Sequence, residues 1–122
     1  MCKGLGLDLC GISRMEALLR DERFLNRYFT PAESAYVHAK GTGAAQTLAG
    51  LYAAKEAVLK AMGVGIALPL QEVEIFHGSG GQPQVRLTGR AAQQLAGMGG
   101  GSFLLTITHE GDTAAAASLW QA

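Results

Sequence analysis

No sign of charge dominates this chain. Its 122 residues carry ten Lys and Arg against ten Asp and Glu, with no cluster of basic side chains. A broad electrostatic footprint for nucleic acid or an anionic membrane is therefore excluded, and any anionic partner must be met by a local patch. Cysteine is scarce as well. Cys2 and Cys10 have neither metal-ligand nor redox spacing, and two cysteines build no disulfide framework; they read as reduced thiols of a cytoplasmic protein. Long apolar runs are missing. The opening MCKGLGLDLCGI is interrupted by Asp8 and is too short for a signal peptide or a spanning helix, so neither export nor membrane insertion is expected. There is no Walker loop, no GxGxxG after a strand and no His/Cys cluster, which removes the usual routes to nucleotide hydrolysis, dinucleotide binding and zinc. Hydrophobic residues at 48% against 16% charged exclude disorder. The length fits one domain, residues 1–122, with a small core.

What is present has clear periodicity. Leu5, Leu7 and Leu9 alternate with Gly4, Gly6, Asp8 and Cys10, the pattern of a strand with one leucine face and Asp8 on the other. Ser13 followed by Glu16, and Thr30 with Pro31 and Glu33, are capping boxes that predict two short helix starts. KGTG predicts a loop before a long helix over residues 48–65, with Gly63 as its left-handed cap. EVEIF and PQVRLTG flank the turn-rich HGSGGQ, which predicts a hairpin. RAAQQLAG predicts a short helix, GMGGGS a connector, and FLLTITHEGDTAAAASLW a second hairpin turning at EGD. The sum is an α+β fold: an antiparallel sheet, a long central helix and short helices. Loops account for most of the 17 glycines.

The long helix holds the chemistry. At about 100° per residue, Leu48, Leu51, Tyr52, Val58, Leu59 and Met62 share one arc, while Gly50, Ala54, Ala57 and Ala61 collect nearly opposite. A small-residue face admits another backbone, so the helix is expected to pack on two sides. Glu56 and Lys60, four apart, project from the remaining flank, in the order of an ordinary helical ion pair. Lys55 falls in the middle of the apolar arc. It must either snorkel outward or find an acidic partner, and Asp8 is the candidate.

Taken together, these residues resemble a known family. GLD ending at Asp8 and LAGLYAAKEAVLKAMGVGI with Lys55, Glu56 and Lys60 look like the two signature motifs of the holo-acyl carrier protein synthases, the small 4'-phosphopantetheinyl transferases. RF at Arg23 and Phe24, FTPAE at Phe29 to Glu33, VEI before a Gly-Gln-Pro turn and TITH ending at His109 extend the resemblance over essentially the whole chain. Two departures stand out. Leu51 occupies a position where many members carry arginine, and HEGDTAAAA lacks the aromatic residue commonly found after the histidine.

The resemblance implies transfer of the 4'-phosphopantetheine arm of coenzyme A to a serine of an apo-acyl carrier protein, releasing adenosine 3',5'-bisphosphate. This would be a step in fatty acid biosynthesis and lipid metabolism. It implies magnesium held by Asp8 and Glu56, since a cation with hard oxygen ligands neutralises a diphosphate. Lys60 would reach phosphate oxygens. Catalysis is thus expected of Glu56, Lys60 and Asp8, with the base open among Glu56, a metal-bound water and a carboxylate of the carrier. Cofactor contacts fall to Lys60, His109, Lys55 and Gly63; for Lys55 an orienting role toward the carboxylates stands as the alternative. His38 and His77 are read as structural or solvent-facing. Arg14, Arg20 and Arg23, with Arg27, offer a basic surface to an acidic carrier. A homotrimer with active sites between subunits is also implied. A non-catalytic trimeric subunit that binds nucleotide, and another metal-dependent phosphoryl enzyme, are the competing readings; retention of Asp8, Glu56 and Lys60 together weighs against the first.

Overall fold

A long helix, α4 (Ala44–Met62), is covered on nearly every side. The computed structural model describes residues 1–122 apart from the side chain of Ile66. Ahead of α4 come β1 (Cys2–Gly11), α1 (Ile12–Glu16), α2 (Glu22–Tyr28) and α3 (Pro31–His38). After it come the hairpin β2 (Val73–His77) and β3 (Pro83–Leu87), then α5 (Gly89–Gly97), then the hairpin β4 (Ser102–Glu110) and β5 (Thr113–Gln121). The expected α+β class and both hairpins are present. The strands form two antiparallel sheets, β1-β5-β4 and β2-β3.

Packing follows side-chain size. The small face of α4 lies on the three-stranded sheet, where a Cβ at Gly4 or Gly6 would overlap the carbonyl oxygens of Ala61 or Ala57. That approach is open to glycine and to no other residue. Ala114 and Ala116 of β5 are likewise buried, so the hairpin without an aromatic after His109 is closed by small residues and by Trp120, whose Nε1 donates to the Gly100 carbonyl at 3.0 Å. The opposite arc of α4 packs with Met15, Leu25, Phe29, Val37, Leu70, Val73 and Ile75. Full burial of each large aliphatic side chain contributes about 1.5–3 kcal/mol. Both helix faces are therefore occupied, as their composition predicts. From Leu48 onward the residues of α4 that are not buried are Tyr52, Glu56 and Lys60, a single stripe at a spacing of four.

The leucine face of β1 points the other way. Because a Cβ has no room at Gly4 or Gly6, the alternate residues Leu5, Leu7 and Leu9 face outward, 71%, 62% and 65% exposed, with Leu104 of β4 on the far side of β5 at 56%.

The caps divide. Thr30 and Glu33 form the expected reciprocal box, and Gly63 ends α4 at φ 75° with its N–H on the Lys60 and Leu59 carbonyls. Ser13 does not cap. It lies inside α1, its hydroxyl donating to Asp112 Oδ1 at 2.6 Å and its N–H to the same oxygen at 3.0 Å. The cap is thus supplied by the β4-β5 turn. The first helix is also shorter than expected, because Asp21 caps a new one by accepting from the Phe24 N–H at 3.1 Å.

Candidate active site

Asp8 lies on the helix-facing side of β1, between Gly6 and Cys10, where small neighbours leave room for a carboxylate beside α4. Lys60 reaches over from the exposed stripe and donates to Asp8 Oδ1 at 2.8 Å and to the Leu7 carbonyl at 3.1 Å. The expected ion pair along the helix, Glu56 to Lys60, gives way to this bond across elements. Asp8 is the cause: it holds the Lys60 ammonium above its usual range.

Glu56, half-buried, sits one turn earlier. Burial first, and the charge of Asp8 second, push its carboxyl above the ordinary range. The Tyr52 hydroxyl, Lys60 and Arg14 partly oppose the shift. Tyr52 is itself raised, by burial and then by Glu56, and the Arg14 guanidinium lies 5.4 Å from the Tyr52 ring. Two carboxylates from remote parts of the chain thus feel each other's charge, and Lys60, bonded to Asp8, feels both. A hard divalent cation fits such a donor set: it removes the repulsion and accepts anionic oxygens, with water and phosphate oxygens completing its shell. No group of three or more His, Cys, Asp or Glu gathers among the described residues, so protein ligands here number fewer than a closed cage requires.

Glu56 opens into a cleft of about 510 Å3, walled by Tyr28, Tyr52, Leu68, Pro69 and Leu70 and rimmed by Arg27 and Arg90. A second hollow, about 50 Å3, joins Glu56 to Lys60, Leu59 and Gly65. Gly63 is not part of its lining; its place is the helix cap.

Other expected site residues lie elsewhere. Lys55 does not meet Asp8. It is 0% exposed and bonds Glu33 at 2.7 Å, with its other donors on the Leu70 and Val73 carbonyls. Burial lowers its pKa and Glu33 opposes that. His109 is exposed, and its register through Ala114 to Cys10 sets it two strands from β1. It lines a separate cavity of about 220 Å3 with Tyr36, Thr47, Leu51 and His77. His77 stacks on Tyr36 at 4.2 Å and is held low by burial and Lys40, while His38 Nε2 bonds the Leu19 carbonyl at 3.0 Å. Arg14 faces Tyr52, next to the site; Arg20 and Arg23 are exposed and do not line the Glu56 cleft. Sequence reasoning missed Tyr52, Arg27, Arg90 and Glu33 at these places. Tyr52 carried a signal, four residues before Glu56; Arg90 carried none, since α5 brings it back from distant sequence.

Residues 4–108 match the 4'-phosphopantetheinyl transferase superfamily. The holo-[acyl-carrier-protein] synthase of Treponema denticola is 44% identical over 117 residues, 95% of each chain, and that of Myxococcus xanthus 39% over 122 residues, 98% of this chain and 94% of the other. The crystal structure of the Neisseria meningitidis holo-[acyl-carrier-protein] synthase superposes with a TM-score of 0.88 at 27% identity, covering 100% of both chains. The Helicobacter pylori enzyme, solved in complex with coenzyme A, gives 0.81 at 26% identity, covering 96% of this chain and 99% of that one. The chain belongs to the 4'-phosphopantetheinyl transferase superfamily.

Proposed function

We infer that the chain is a holo-[acyl-carrier-protein] synthase. It transfers the 4'-phosphopantetheine group of coenzyme A to a serine hydroxyl of an apo-acyl carrier protein: a bond forms from the serine oxygen to the phosphorus bearing pantetheine, and the bond to the departing adenosine 3',5'-bisphosphate breaks. The observation that supports this reading is the bond of Lys60 to Asp8 beside Glu56, which shares a hollow with Lys60 and opens into the larger cleft, in a chain whose relatives, matched over nearly their full length, carry that activity in their names.

In this reading Asp8 and Glu56 hold magnesium, which when bound neutralises the diphosphate and steadies the leaving oxygen. Lys60 has two of its three N–H groups on Asp8 and Leu7; the third is free to bond a phosphate oxygen as charge accumulates. Of this chain's own residues, Glu56 is the one to take up the serine proton. Arg14, Arg20 and Arg23 face the acidic carrier. His109 belongs to the coenzyme A contacts and reaches them from a second copy. Three copies associate through the exposed leucines of β1 and β4, since an apolar patch of this kind marks an association face. Residues 1–122 act as one transferase domain, in the cytoplasm, serving fatty acid biosynthesis. Among the described residues no helix is long and apolar enough to cross a membrane.

Incubation of the protein with apo-carrier, coenzyme A and magnesium tests the function. The carrier is expected to gain the mass of one phosphopantetheine group, with adenosine 3',5'-bisphosphate released in equal amount. A carrier of unchanged mass contradicts the reading.

A further inference from the structure

One buried charge takes no part in the chemistry above. The Lys55 ammonium has all three of its N–H groups engaged: Glu33 Oε1 at 2.7 Å, the Val73 carbonyl at 2.8 Å and the Leu70 carbonyl at 3.0 Å. Glu33 is equally committed, accepting from the Thr30 N–H at 2.8 Å and, through its other oxygen, from the Ile75 N–H at 2.7 Å. One pair thus ties the start of α3, the middle of α4 and the chain from Leu70 to Ile75.

The segment it grips has little regular structure of its own. Between α4 and β2 the backbone makes only short 3-10 turns, Gly65–Ala67 and Leu70–Glu72. It is fastened by side chains: Lys55 from outside on two carbonyls, and the segment's own Gln71, whose Nε2 donates to the Asn26 carbonyl at 2.7 Å, and Glu72, accepting from the Ala91 N–H at 3.0 Å. That same segment supplies Ala67, Leu68, Pro69 and Leu70 to the cleft into which Glu56 opens. Lys55 is the residue just before Glu56, so the helix that carries the carboxylate also carries the clamp on the facing wall.

For stability alone, a buried ion pair has no advantage over apolar side chains of similar volume. What an apolar pair cannot do is draw two backbone carbonyls to one point. We propose that Lys55, seated on Glu33, is a positioning residue that fixes the 67–73 wall of the substrate cleft at a set distance from Glu56. The inference rests on the transferase reading for its kinetic consequence and on geometry alone for its structural one.

The test uses the double variant Lys55→Met with Glu33→Gln, which removes both charges and leaves no buried ion unpaired, and Glu33→Gln alone, which keeps the Lys55 amine and its N–H donors for both carbonyls. In the double variant the Glu72 and Val73 amides are expected to exchange with solvent at least tenfold faster, with β5 amides unchanged. The KM for coenzyme A or for apo-carrier is expected to rise at least fivefold while kcat stays within about twofold. Glu33→Gln alone is expected to keep the parental KM values. A uniform rise in exchange across the protein, or parental exchange at Glu72 and Val73, overturns the proposal, as do parental KM values in the double variant. If the parent protein transfers nothing, the function assigned above fails, and the exchange of these two amides decides the positioning role by itself.

Discussion

Lys55 and Lys60 lie five residues apart on one helix and have opposite circumstances. Lys55 is sealed in the core, every proton bonded to a fixed acceptor, its partner Glu33 1% exposed. Lys60 is 52% exposed, holds a single carboxylate, and has a neighbour, Glu56, whose ionised form is disfavoured by burial and by Asp8. The difference separates a charge that organises backbone from a charge kept available. A satisfied network has nothing left to offer a ligand. An arrangement with two repelling carboxylates and a spare donor lowers its free energy when a divalent cation and a phosphate arrive.

Removing charge at the two places should break the comparison in opposite senses. The largest effect is expected at the open site. Asp8→Asn or Glu56→Gln should cut transfer by about a hundredfold to a thousandfold, the scale of losing a preorganised electrostatic contact, measured as holo-carrier formed per minute. The fold should be unharmed. Because the Glu56 pKa is raised on folding, its ionised form opposes folding at neutral pH, and the opposition fades as pH falls through that pKa. Glu56→Gln should therefore melt at the parental temperature or higher near pH 7, and the gain should vanish in acid.

At the sealed site the order reverses. Lys55→Met alone leaves Glu33 buried without its counter-ion and should cost about 3–5 kcal/mol of stability by denaturant unfolding. The double variant with Glu33→Gln should recover most of that loss. A single variant as stable as the parent would show that the pair is not the closed network described.

The smallest effect concerns Glu74, which borders the sealed network through Thr30. The Thr30 hydroxyl first, then Arg86, holds its carboxyl below the usual range, with Arg86 nitrogens at 3.0 and 3.2 Å. Its contribution is present above the unfolded carboxylate range and is lost as pH falls through the lower, folded pKa. Arg86 is 58% exposed, so the contribution is under about 1 kcal/mol. Melting of Glu74→Gln against pH should be flatter in acid than that of the parent.

These two places were not equally legible in the sequence. Thr30, Pro31 and Glu33 announced a capped helix because the bonds that make it are local. The large and small arcs of α4, and the flank holding Glu56 and Lys60, followed from helical periodicity. Which distant element would cross each arc did not. Periodicity set Lys55 among apolar residues, where it had to snorkel outward or find an acid such as Asp8, while Glu33 was legible only as the cap of α3; in the structure that one carboxylate serves both needs. Ser13 was misread for a like reason, since the cap at that helix is Asp112, from the far end of the chain. Alternation in β1 showed which residues share a face and not which face is inward. That was decided by the clearance between Gly6 and Ala57, a three-dimensional fact. His109 was legible as a strand end, while its separation from Asp8 follows from β5 lying between their strands.

The central claim is that Asp8 and Glu56 together hold one divalent cation. Manganese(II), titrated into the protein with coenzyme A present and followed by the loss of its free-ion electron paramagnetic resonance signal, tests it most directly. One ion bound per chain in the parent, with affinity lowered at least tenfold by Asp8→Asn and by Glu56→Gln separately, is the predicted result. Binding of parental strength in either variant would contradict the account.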